Sequence, residues 1–89
     1  MRHFNVEIVL WEDHMRVERE AIPKDPDIFV SPTLSVGIII KETKKIIVLV
    51  SNIERYPDRD DCNYLLIYKG SIISRSKYGK IKLRKLQQQ

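Results

Sequence analysis

A chain of 89 residues supports one domain with a modest core, since a protein of this size buries only roughly 60–65% of its unfolded surface. With 43% hydrophobic and 31% charged residues it reads as soluble and globular; the lone Cys62 excludes an internal disulfide, and no signal peptide or membrane-length run is present. The net charge of +4 is unevenly placed: from Tyr64 onward there are seven basic residues (Lys69, Arg75, Lys77, Lys80, Lys82, Arg84, Lys85) and no acid.

Taken in chain order, Phe4 to Trp11 sets Phe4, Val6, Ile8 and Leu10 at period two, which predicts a half-buried strand. Asp13 to Pro32 contains Pro23, Pro26 and Pro32, which argue against a continuous helix, and it reads as a long, partly structured loop. Within it, Met15 to Ile22 fits either a short strand or a helical turn. Leu34 to Lys41 and Lys45 to Ser51 form a predicted hairpin with "ETKK" at its tip. Its runs "GIII" and "IIVLV" are apolar on both faces and call for cover on both, within a barrel or against another subunit. "ERYPDRDDCN" is a turn-rich acidic loop, and Tyr64 to Tyr68 is a fourth strand. Lys69-Gly70-Ser71 is a tight turn, Ile72 to Tyr78 a fifth strand, and Gly79 its end. The last residues, "KIKLRKLQQQ", extend that strand, form a short basic helix, or stay disordered.

Five short strands without a long helix predict an all-β fold: a five-stranded antiparallel Sm-like or SH3-like barrel with a long loop after strand 1. Closure would remove most exposed sheet edges, which an isoleucine-rich chain needs. The expected division is a barrel domain over 1–78 and a basic, Gln-ended tail over 79–89.

The turn "LLIYKGSII" resembles the Sm-like family, in which a basic residue and glycine are followed by an apolar residue opening the fifth strand. The bacterial Sm-like branch has a related Tyr-Lys-His-Ala-Ile-Ser turn, similar here at Tyr68, Lys69 and Ile72, with Gly70 where that branch has histidine. Gly37 and Ile39 resemble the Gly-x-Leu of the first Sm motif. Counting on from Gly37, Thr43 stands where the motif has aspartate and Ile47 where it has asparagine, so its uridine-type pocket is not implied. A second resemblance spans the chain: Trp11-Glu12-Asp13-His14, Val36-Gly37-Ile38-Ile39 and Lys69-Gly70-Ser71-Ile72 are similar to elements of small uncharacterised phage-encoded proteins. It implies a phage or prophage origin and no chemistry; the cytoplasmic location expected from the single cysteine and the lack of a signal peptide would then be the host's.

Catalysis is not expected. His14 beside Glu12 and Asp13 is the most enzyme-like cluster, yet metal-ligand spacing is absent and His3, His14 and Cys62 are the only nitrogen or sulfur ligands. Trp11 is expected to pack the barrel mouth, with Asp13 or His14 capping the loop backbone. Cys62 lies among acids, which raises a thiol pKa and weakens the nucleophile. No catalytic residue, metal or cofactor is therefore assigned. The functional expectation is a homo-oligomeric module contacting single-stranded RNA or DNA through Lys69, Gly70, Arg75, Lys77, Tyr78, Lys80, Lys82, Arg84 and Lys85. Cations would meet phosphates, and tyrosines would stack on unpaired bases. Alternation places Ser74, Ser76, Tyr78 and Lys80 on one face of the fifth strand, with Arg75, Lys77 and Gly79 on the other. The alternative is a phage structural or adaptor protein acting by protein–protein contacts.

Overall fold

The structure, a computed structural model, describes residues 1–14, 24 and 30–87, without the side chains of His14, Val30 and Ser31. The alternatives for Met15 to Ile22, and most of the long loop, fall outside the described residues.

Five strands are formed: β1 (Arg2–His14), β2 (Val30–Glu42), β3 (Ile46–Arg55), β4 (Asp60–Tyr68) and β5 (Ile72–Leu83). A 3-10 turn over Lys69–Ser71 joins the last two. They make one antiparallel sheet in the order β4-β3-β2-β1-β5. The all-β, five-stranded antiparallel expectation holds, but the sheet does not close, and β4 and β5 remain its edges. None of its helices is long and apolar enough to cross a membrane among the described residues.

Every strand outruns its apolar stretch, because pairing carries polar flanks into the ladder. Pro32 sits inside β2 opposite Glu12, although prolines usually break sheets. It is accommodated because β3 pairs with β2 only from Ile38 onward, so β2 is an edge at Pro32 and no ladder hydrogen bond is forfeited there. The acidic loop shrinks to a hairpin turn in which the Tyr56 amide donates to the Arg59 carbonyl at 2.8 Å. Thr43 organises the β2–β3 turn, its hydroxyl accepting from the amides of Lys45 (3.2 Å) and Ile46 (3.1 Å).

The core comprises Val9, Ile39, Ile47, Leu49 and Ile67, with Trp11 and Ile72 packed against it. Trp11 also donates its indole N–H to the Ser35 hydroxyl at 3.0 Å. On β1 this buries Val9 and Glu7, while Ile8 and Leu10 on the opposite face are half-buried. Leu49 approaches the backbone of Gly37 so closely that a Cβ there would lie 2.5 Å from Leu49 Cδ2 and 2.6 Å from the Val50 carbonyl oxygen. The sheet's other face buries Phe4 and Val50. Leu86 borders Phe4 and Ile40 on one side and Val48 and Val50 on the other, so the C-terminal segment covers part of the second apolar face. That accounts for "GIII" and "IIVLV": alternate residues serve two apolar clusters.

Candidate nucleic-acid interface

The proposed interface residues divide into three groups. Lys69 and Arg75 belong to an ion-pair chain: Arg75 donates to both Glu7 oxygens at 2.8 and 2.9 Å and to Glu42 at 3.0 and 3.3 Å. Glu42 also accepts Lys69 Nζ at 2.7 Å. Two acids thus neutralise two bases, and the chain ties the 3-10 turn to β2, β5 and β1. Glu7 is buried, so Arg75 supplies the counter-charge that a buried carboxylate requires. Hydrogen bonds from Arg75, then Lys69, hold the Glu42 carboxyl well below the usual range, at about 2. Hydrogen bonds to Glu7 first and Glu42 second push the Arg75 guanidinium upward.

Because the folded pKa of Glu42 lies below its ordinary 4.5, its stabilisation is complete above pH 4.5 and lost as pH falls toward 2. Glu42 is 42% exposed, so solvent screening limits the effect to about 1 kcal/mol. Urea titrations should show wild type more stable than Glu42→Gln by that amount at pH 6, with the gap narrowing to nearly nothing by pH 2.

Lys77, Lys80 and Lys82 form the second group. On β1, His3, Asn5, Glu7 and Val9 alternate onto one face, and their β5 partners are Lys82, Lys80, Lys77 and Arg75. The register steps from Val6–Gly79 to Glu7–Lys77, leaving Tyr78 as an unpaired bulge residue. The bulge corrects the alternation expected from sequence. Lys80 joins Arg75 and Lys77, whereas Gly79 and Ile81 share a face with Val6 and Phe4. Gly79 does not end the strand, which pairs with β1 as far as Leu83. Lys77, Lys80 and Lys82 are exposed and, among the described residues, make no ion pair. Tyr78, 79% exposed, sits between Lys77 and Lys80 and is free to stack.

The third group is the tail. Residues 84–87 leave β5 and reach the start of β4, where the Asp60 amide donates to the Gln87 carbonyl at 3.0 Å and the Gln87 amide donates to Asp60 Oδ2 at 2.6 Å. Arg55 donates to the Arg84 carbonyl at 3.3 Å and to Asp60 Oδ2 at 2.9 Å. Lys85, together with Arg2 and Lys41, lines a cleft of about 560 Å³ floored by Phe4, Ile40 and Leu86. Arg2 stacks over the Phe4 ring at 5.5 Å. Arg2 and Lys41 are not evident from sequence, because Arg2 stands at the N-terminus between Met1 and His3 and Lys41 between Ile40 and Glu42, far apart in the chain, and cross-strand pairing gathers them.

Gly70 contributes little that is particular to glycine. Its backbone is not left-handed, and a Cβ there would meet nothing within 4 Å. Near the other edge, burial first and Asp60 second push the Cys62 thiol pKa upward, so the expected direction holds with a different leading cause. Asp13 is exposed, and the His14 side chain lies outside the described residues. No three His, Cys, Asp or Glu side chains converge among the described residues. In comparison with known proteins, the chain matches no protein-family model, no curated protein and no solved structure.

Proposed function

We propose that the chain is a non-catalytic, self-associating Sm-like or SH3-like module that binds single-stranded RNA or DNA along β5. The observation that carries this reading is the row Lys77, Lys80 and Lys82, brought to one face by the Tyr78 bulge and left without ion pairs among the described residues. Arg2, Lys41 and Lys85 add cations around the cleft on the other face of the same end. The strand order and the short 3-10 crossover between β4 and β5 support the barrel-like architecture. Lys69 and Arg75 act as scaffold, because their charges are spent on Glu42 and Glu7.

Three phosphate contacts on a single strand give a log–log salt slope of about −2. Labelled oligonucleotides should therefore be retained at low salt and released with that slope. Replacing Lys77, Lys80 and Lys82 together by Gln should flatten the slope and leave folding intact. Retention that ignores salt, or that survives the triple substitution unchanged, would sink this reading.

A specific observation favours an adaptor role as the second reading. Leu34 and Val36 are exposed and lie opposite Leu10 and Ile8, a contiguous apolar patch suited to another protein.

A further inference from the structure

The two sheet edges differ in chemistry. β5 carries Arg75, Lys77, Lys80 and Lys82 and two register shifts, features that discourage strand addition. β4 from Cys62 to Tyr68 has no charge and no proline, and the one register shift in its ladder with β3 comes from an extra residue on β3, Ser51, opposite Asn63 and Tyr64. On its outer face Tyr64, Leu66 and Tyr68 are 58%, 56% and 67% exposed.

The hydrogen bonds show which β4 backbone groups turn away from β3, and the strand order leaves that side without a neighbouring strand among the described residues. The Lys69 amide donates to the Lys45 carbonyl, so odd-numbered residues turn toward β3. The Asp60 amide points the other way, to Gln87. By strand alternation the N–H and C=O groups of Cys62, Tyr64, Leu66 and Tyr68 face outward along the free edge. That set is symmetric about Leu65.

We infer that β4 pairs antiparallel with β4 of a second copy, about a two-fold axis at Leu65. The inference deepens the self-associating module proposed above and rests on that reading. In this register Tyr64 faces the partner's Leu66, and Cys62 the partner's Tyr68. Each such pair exchanges two backbone hydrogen bonds. Tyr64 against Leu66 is an aromatic–aliphatic cross-strand pair, repeated by symmetry. Asp61, paired with Arg59 of its own chain, comes opposite the partner's Lys69, paired with its own Glu42, so this register sets no like charges against each other at either end. The Gln87 contact at Asp60 and the 3-10 turn at Lys69 bound the interface on either side. The result is a continuous ten-stranded sheet across two copies, with β5 and its lysines at both outer edges.

The test uses the full chain carrying Cys62→Ser and Leu65→Cys. Position 65 opposes itself across the axis in a non-hydrogen-bonded pair, with Cα atoms about 4.5 Å apart, within disulfide range. Mild oxidation should yield a covalent dimer on non-reducing gels. Ser74→Cys in the same background, placed on β5, should not. Light scattering on the unaltered protein should give twice the 10.5 kDa chain mass, and Leu66→Lys, a solvent-facing substitution, should return it to one chain with its β-sheet circular dichroism retained. A single-chain mass at every concentration overturns the inference. So does an assembly that forms no cross-link at position 65, as β4 pairing with β5 of another copy would. Oligonucleotide retention measured in parallel separates the two proposals. An assembly that binds but forms no cross-link at position 65 refutes the pairing alone. A monomer that binds refutes the pairing and self-association but not nucleic-acid binding, and a cross-linked dimer that never binds refutes the nucleic-acid reading alone.

Discussion

Gly37→Ala is expected to lower unfolding free energy by about 2 kcal/mol or more, read from the midpoint of a urea titration. Alanine ordinarily gains roughly 0.5–1 kcal/mol over glycine inside a strand, so the expected sign runs against the usual preference. The reason is local. The added methyl would sit 2.6 Å from the Val50 carbonyl oxygen, a backbone atom of β3 that cannot turn aside, and 2.5 Å from Leu49 Cδ2. β2 and β3 would have to separate where Ile39 and Leu49 anchor the core. Gly70→Ala is the matched control and should be nearly silent, since space there is open. Equal effects at the two positions would show that the close approach at Gly37 does not exist.

Arg75→Ala should cost about 3 kcal/mol, because it strands the Glu7 carboxylate in the core after both its hydrogen bonds are removed. Arg75→Lys should fall between, keeping the charge but not the two-pronged contact. Lys82→Ala, on the same face but unpaired among the described residues, should stay within about 0.5 kcal/mol of wild type. These variants separate two roles that look alike in sequence. A contact residue alters the salt slope of oligonucleotide binding and leaves the melt unchanged; a scaffold residue does the reverse. An Arg75→Ala protein with unchanged stability and weakened retention would move Arg75 from scaffold to contact.

The candidate site is partly legible in the sequence. The lysines of the last quarter stand out by charge alone, and Tyr78 by its place among them. Their grouping is not legible, because one unpaired residue at Tyr78 shifts the strand by one position and moves Lys80 to the other face. Neither is the diversion of Lys69 and Arg75 into ion pairs. Their acceptors, Glu7 and Glu42, lie far away in the chain, and Glu7 occupies a position in β1 that an apolar-alternation pattern assigns to solvent.

What the sequence determines by itself is the class of fold and its punctuation: period-two apolar runs, a hairpin tip at "ETKK", a turn in "ERYPDRDDCN", and no segment periodic enough for a long helix. These are local properties, set by side-chain chemistry and backbone preference. Tertiary structure decides the rest. It makes Gly37 a point of contact, allows Pro32 inside a strand, buries Glu7 beside Arg75, and lays residues 84–87 over the second apolar face. Each depends on which strands become neighbours, and pairing across tens of residues is fixed by the fit of whole faces, which no single stretch of sequence carries.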